Sequence, residues 1–377
     1  MRKLTACIAS IVTATFCLLP TVNLGVPVAY ADVQAQQPTY TFEEALKQAK
    51  LNSKSLQVAE LSLDRSEKVH EFMGQRVLDT NHGIPTDTTT SDAAYSVYMG
   101  MNQAYINWQS ARKNVSATED TIVMQTYQLY NGLLQAQEKV KNAQIRLDNI
   151  RAQYNNSVVG YTVGSTSDYN RKQAMLSVNA SEESLKAAQA SLNDAYQKFN
   201  RHLGIAVDAK PVLTDQPQFV ELKIDNLDNE VARKLDESPT VWLAEKNVDL
   251  AKIAYDTYNF ASQSRTEPSQ AKEIDIDKAA VSAQSTREQM DKVIRTIYYS
   301  AKQVEDLYKA SQQKLAVAEE DLRVVQVKFE IGMATQADLL SAKSKLADCR
   351  DDLMDALVRH QNLVYGFEKP WAYAASS

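Results

Sequence analysis

Phe329-Glu-Ile-Gly332-Met-Ala-Thr335-Gln-Ala-Asp338-Leu339 decides how the chain around it folds. Gly332 can adopt the left-handed backbone that ends a helix. Thr335, with Asp338 three residues on, reads as a capping box that opens the next helix. Upstream, Ile294, Ile297, Ala301, Val304, Tyr308, Ser311, Leu315, Ala318, Leu322, Val325 and Phe329 recur in alternating steps of three and four, which is a heptad seam. Downstream, Leu339, Ala342, Leu346, Cys349, Leu353, Ala356, His360 and Leu363 make a second seam. Two seamed helices joined by a tight turn predict a helical hairpin.

Helix breakers are scarce, 10 Gly and 9 Pro in 377 residues, and 269–331 contains neither. As one helix that run would span ~95 Å at 1.5 Å per residue, so a rod or part of a tube is expected. The first half repeats the pattern. Val140, Ala143, Leu147, Ile150 and Tyr154 form an ascending seam, and Leu185, Ala188, Leu192, Ala195, Phe199 and His202 a descending one. Between them, Gly160-Tyr-Thr-Val-Gly164-Ser165-Thr-Ser-Asp168 repeats the Gly, Ser/Thr, Asp order of the later turn. The openings match as well, Asn52 to Glu60 with Glu237 to Glu245, which reads as an internal duplication. Joining the halves, Gly204 to Asp236 holds Pro211, Pro217 and an extended-looking Gln218 to Ile224, expected as a surface connector with a short strand.

Met1-Arg2-Lys3, an apolar stretch from Leu4 to Leu19, and Ala29-Tyr30-Ala31 have the pattern of a secretory leader cut after Ala31, which places the mature chain in the cell envelope or outside it. Asp and Glu number 47 against 41 Lys and Arg, a balance unsuited to neutralising a phosphate backbone, so no nucleic-acid partner is expected. Cys7 and Cys17 leave with the leader. Cys349 remains alone on a seam, where a thiol acts as a small hydrophobe, and neither an internal disulfide nor a cysteine metal site can form. His70, His82, His202 and His360 lack ligand spacing, and the last two fall on seams. No catalytic constellation, cofactor site or metal site is read, so a non-enzymatic protein is expected. The acidic runs Glu319 to Asp321 and Asp348 to Asp352 read as solvated helix faces with neighbouring Lys or Arg.

Four stretches, in order, resemble the TolC-like outer-membrane efflux family. They are Thr41-Phe-Glu-Glu-Ala-Leu46 through Glu60, the first turn to Asp168, Leu203-Gly204 to Ser238-Pro239, and Gly332-x-x-Thr335-x-x-Asp338-Leu-Leu-x-Ala342. The resemblance implies an exported homotrimer whose hairpins form a periplasmic tube. It further implies that the turns, with Gly160, Gly164, Ser165, Asp168, Gly332, Thr335 and Asp338, meet an adaptor (membrane fusion) protein of an efflux pump or type I secretion system. The conduit would be passive, its energy supplied by an inner-membrane pump.

One departure stands out. Family members place barrel strands where this chain has Gly74 to Gly100 and Asn259 to Ser285. A membrane hairpin needs two strands of ~9–11 residues with an apolar outer face. The second window is polar from Ala261 to Lys272, and in the first only Ala94 to Met99 alternates, which fits the start of a helix equally well. The expected fold is all-α, with long antiparallel hairpins in two tandem repeats, TolC-like without the transmembrane barrel. The expected organisation is a leader (1–31), a first repeat (32–204), a connector (205–230), a second repeat (231–366) and a tail (367–377). Two functions fit: the conduit, favoured by the turn motifs, and a non-conducting extracytoplasmic coiled-coil scaffold, favoured by the missing strands.

Overall fold

The computed structural model describes residues 38–80, 88–258 and 268–376. They lie in one compact unit, Gln37–Ser377; the expected leader, 1–31, lies outside the described residues. In chain order the elements are β1 (Thr39–Tyr40), α1 (Phe42–Asn52), α2 (Lys54–Thr80), α3 (Thr88–Thr162), α4 (Asp168–Leu203), β2 (Val212–Leu213), α5 (Leu227–Glu237), α6 (Pro239–Tyr258), α7 (Ser269–Glu330), α8 (Gln336–Glu368) and α9 (Pro370–Ser376).

The two longest helices follow from the breaker-poor runs. The 75 residues of α3 and the 62 of α7 correspond to ~110 and ~93 Å. Antiparallel to them run α4 and α8, and α3 also packs on α8, so four helices stand side by side in the order α4, α3, α8, α7. The outermost helices of this row are α4 and α7. Nearer their N-terminal ends α3 and α7 are covered instead by α2 and α6, with α6 touching α3 as well.

Heptad periodicity places the core. Ile294, Ile297, Ala301, Val304, Ser311 and Ala318 of α7 are buried, and so are Leu339, Leu346, Ala356, His360 and Leu363 of α8. Toward the turn the seam thins: Leu322 and Val325 are half-buried and Phe329 is exposed. At the other end of each hairpin a short amphipathic helix closes the apolar layer. Val231 and Leu235 of α5 join Met290, Ile294, Leu363 and Phe367, while Ala45 of α1 joins Tyr130, Leu133, Phe199 and Leu203.

These short helices also donate to carbonyls at helix ends, where donors within the helix run out. The Asn52 amide, at the end of α1, donates to the Arg201 and His202 carbonyls of α4 at 3.1 and 3.2 Å. Lys234 Nζ of α5 donates to the Glu368 carbonyl of α8 at 2.9 Å.

Polar contacts join the two hairpins along α3 and α8. Asn131 donates to Gln361 at 2.8 Å and Gln135 to Asp355 at 3.1 Å, and Arg146 pairs with Asp348. The acidic runs therefore do more than meet solvent, for Asp321 pairs with Lys345 at 2.6 Å and Glu319 with Arg350 at 3.7 Å, tying α7 to α8.

The connector holds a short strand at Val212–Leu213, paired in parallel with Thr39–Tyr40; the extended-looking Gln218 to Ile224 forms none. Side chains hold the latter segment instead. The Leu222 N–H donates to Glu305 at 2.8 Å, its carbonyl accepts from Lys302 at 2.6 Å, and Phe219 stacks on Tyr308 with centroids 4.1 Å apart. With its backbone polar groups met by α7, Leu222 has no need of a strand partner.

Ala94 to Met99 lie inside α3, and 269–285 lie inside α7. Among the described residues of Gly74 to Gly100 and Asn259 to Ser285 there is no strand; 81–87 and 259–267 lie outside the described residues. No helix among the described residues is long and apolar enough to cross a membrane. The C-terminal segment is not loose: α9 packs on α3, and the Trp371 indole donates to Asp120 at 2.9 Å.

Candidate functional site

The turns between α3 and α4 and between α7 and α8 are one structure built twice. In the first, Ser165 N–H donates to the Gly160 carbonyl at 2.7 Å, Gly164 N–H to Tyr161 at 3.1 Å, and Thr166 N–H to Gly160 at 3.1 Å. In the second, Met333 N–H donates to Lys328 at 2.7 Å, Gly332 N–H to Phe329 at 3.1 Å, and Ala334 N–H to Lys328 at 3.1 Å. Every donor and acceptor is displaced by the same step that takes Gly164 to Gly332. The paired bonds are those of a Schellman ending, which requires a left-handed residue. Gly164 and Gly332 supply it, with φ of 78° and 75°.

Three residues after each glycine the next helix is capped. Thr335 Oγ1 accepts the Asp338 N–H at 3.2 Å, and Asp338 returns the favour by accepting the Thr335 N–H at 2.8 Å, the expected capping box. In the first turn the cap is Ser167, whose hydroxyl accepts the Asn170 N–H at 3.2 Å. Ser167 was missed, because the Gly, Ser/Thr, Asp order pointed to Ser165 and Asp168. The glycine-to-cap spacing of Gly332 and Thr335, applied from Gly164, would have found it.

The other predicted residues take different parts. Ser165 Oγ donates back to the Gly160 carbonyl at 3.1 Å. Asp168 opens α4 and binds Arg171 at 2.7 Å and Lys172 at 2.8 Å. Hydrogen bonds from Lys172 and then Arg171 hold its carboxyl below the usual range. Asp338 is likewise lowered, chiefly by the Thr335 backbone N–H and then by the Thr335 hydroxyl. Gly160 has an ordinary φ, but a Cβ there would come within 2.5 Å of Thr166 Oγ1, so its role is close packing inside the turn.

Both turns project apolar side chains into solvent. Val163 and Met333 are 71 and 74 % exposed, and Tyr161, Tyr169 and Ile331 stand beside them. Arg171 lies over the Tyr161 ring at 5.2 Å. Among the described residues no hydrogen bond or ion pair joins the two turns. Each is thus a separate knob, its backbone fixed from within and its outer face apolar with charge alongside.

No protein-family model matches the sequence, and no curated protein matches it. Solved structures do. CusC, described as forming a transmembrane channel, is 13 % identical and superposes with a TM-score of 0.65 over 91 % of this chain and 95 % of its own. The Campylobacter jejuni CmeC outer membrane channel is 12 % identical with a TM-score of 0.65, covering 88 % of this chain and 85 % of that one. The open state of the Neisseria gonorrhoeae MtrE outer membrane channel is 16 % identical with a TM-score of 0.63, covering 88 % of each. Side-by-side antiparallel hairpins with matched turns, superposing over most of their length on such channels, give this chain the fold of TolC-like outer-membrane channel proteins.

Proposed function

We propose that the protein is the passive, wall-forming component of a TolC-like efflux or secretion assembly. It would act as an exported homotrimer whose two turns dock an adaptor protein, while an inner-membrane pump supplies the energy. The observation that carries this reading is the open row of helices. Its edge helices expose apolar side chains toward the turns, Tyr169 and Leu176 on α4 and Val317, Val324 and Val327 on α7. Apolar edges at both sides of a row call for neighbours, and head-to-tail contacts that close on themselves make a ring. The likeness to outer-membrane channels supports the same reading.

We also infer that the chain is an internal duplication, with a leader at 1–31, repeats at 32–204 and 231–366 and a connector at 205–230. The shared turn geometry supports this, as do the 11-residue helices α1 and α5 that precede Ser53 and Ser238. A second reading, a non-conducting extracytoplasmic scaffold, is favoured by helix in place of strand at 88–100 and 269–285.

Crosslinking separates the two. Leu176→Cys on α4 and Val324→Cys on α7, in a Cys349→Ala background, lie at similar depth from their turns. A ring predicts disulfide-linked species between copies up to a closed trimer, with a trimer mass by light scattering. A monodisperse monomer without such crosslinks would leave the scaffold. Adaptor docking is tested by loss of capture when Val163 and Met333 are both changed to Asp.

A further inference from the structure

All three tryptophans of the chain carry a cation over the ring. Arg112 lies 5.4 Å from the Trp108 centroid, Lys113 5.3 Å from Trp242 and Lys369 5.2 Å from Trp371. These three cations line a single open cavity of about 630 Å³, where α3, the α5–α6 junction and the start of α9 meet.

Four carboxylates line the cavity too, and each already has a partner. Glu119 pairs with Lys50 at 3.6 Å, Asp236 with Arg287 at 2.9 Å, and Glu237 with Arg233 at 3.2 Å. Asp120 accepts the Trp371 indole at 2.9 Å and pairs with Lys369 at 3.5 Å. Arg112 and Lys113 are different: among the described residues neither makes an ion pair, and only a ring stands behind each. A ring quadrupole attracts a cation without neutralising it. A guanidinium lying over a ring still presents its N–H edges, the geometry that takes a carboxylate bidentately. Two adjacent positive charges in a concave wall also reinforce each other's potential.

We propose that this cavity binds a small aromatic carboxylate. Arg112 and Lys113 hold the carboxylate group, and the half-buried Trp371 flanks the ring. The site is remote in sequence from the turns and does not rest on the conduit reading.

Because Trp371 lines the cavity and Trp108 and Trp242 lie behind its Arg112 and Lys113, the intrinsic fluorescence of the full chain reports on it. Benzoate should change the emission along a saturating curve. Arg112→Gln with Lys113→Gln should weaken the apparent affinity by about tenfold or more, and benzylamine, of similar size and opposite charge, should give no saturable change. Helix content by circular dichroism checks the fold of the double variant, and the exposed Arg112→Gln alone, expected to weaken binding in the same direction, serves if the double variant fails. A linear response identical in wild type and variant, or saturation by benzylamine as well, overturns the proposal. So does a double variant that loses self-association in light scattering while benzoate never saturates, since an acidic group of another copy would then fill the cavity.

Discussion

The Glu305 carboxylate and the His360 ring meet at 3.3 Å with their side chains 3 and 1 % exposed, at the point where the connector crosses the second hairpin. Glu305 also accepts from the Leu222 N–H and from Lys302, and His360 packs against Phe219 with centroids 4.6 Å apart. One buried carboxylate thus ties α7, α8 and the connector together.

That arrangement makes stability sensitive to acid. Burial opposes ionisation of Glu305, but hydrogen bonds from Lys302, Leu222 and His360 outweigh it and hold the carboxyl below its ordinary range. A lowered folded-state value means that the stabilisation is complete above the unfolded value of about 4.3 and fades as pH falls through the folded one. Glu305→Ala should cost about 3 kcal/mol at pH 7, because Lys302 and the Leu222 N–H lose their acceptor. The wild-type advantage should shrink as pH falls below about 4.3 in urea unfolding; a difference constant with pH would refute the assignment.

Asp351 carries the opposite sign. Burial raises its carboxyl, with Asp355 adding to the effect and the Asn142 side chain opposing it. A raised folded-state value favours the native state while the group is protonated and costs stability as pH rises through that value. Asp351→Asn should therefore leave pH 7 stability unchanged or raise it by up to about 1 kcal/mol. Thermal unfolding at pH 4 and pH 7 measures this, and a large loss at pH 7 would contradict it.

Gly204 and Asn52 are coupled sterically. Gly204 has φ 72°, and a Cβ there would lie 2.4 Å from the Asn52 side chain that caps α4. Gly204→Ala should cost about 2–3 kcal/mol, combining backbone strain with the clash. In an Asn52→Ala background the clash is gone, and a double-mutant cycle should show at least about 0.5 kcal/mol of coupling. Additive effects would mean that the two residues act independently.

Gly332 tests backbone strain without crowding, for a Cβ there would meet no atom within 4 Å. Gly332→Asn should be tolerated better than Gly332→Val, since Asn enters the left-handed region more readily than a β-branched residue. The valine variant should lose about 1–2 kcal/mol. Hydrogen exchange at Met333 and Ala334, whose N–H groups close the turn, should accelerate in the valine variant first. Equal exchange in both variants would show that the left-handed turn is not what holds these amides.

The legible part of this fold was local. Gly332, Thr335 and Asp338 declared a helix end and a helix start within seven residues, and the structure forms both. The seam from Ile294 to Ala318 declared which face is buried. The first turn is less legible, because Ser165, Ser167 and Asp168 offer several local caps and only the hydrogen bond to Asn170 selects Ser167. Glu305 carries no such local signal. It lies next to the seam residue Val304, and a glutamate there looks like solvated surface until Leu222, Lys302 and His360 converge on it.

By itself, then, the sequence determined helices, their turns and the faces they bury, since these depend on hydrogen bonds and side-chain periods a few residues apart. Only the tertiary structure decided that α3 lies beside α8, that α1 and α5 cap the far ends of α4 and α8, and that Arg112, Lys113 and Lys369 share a cavity. Those relationships join residues far apart in the chain, and they exist only once the hairpins pack, because each depends on the relative placement of surfaces whose own sequences are compatible with many neighbours.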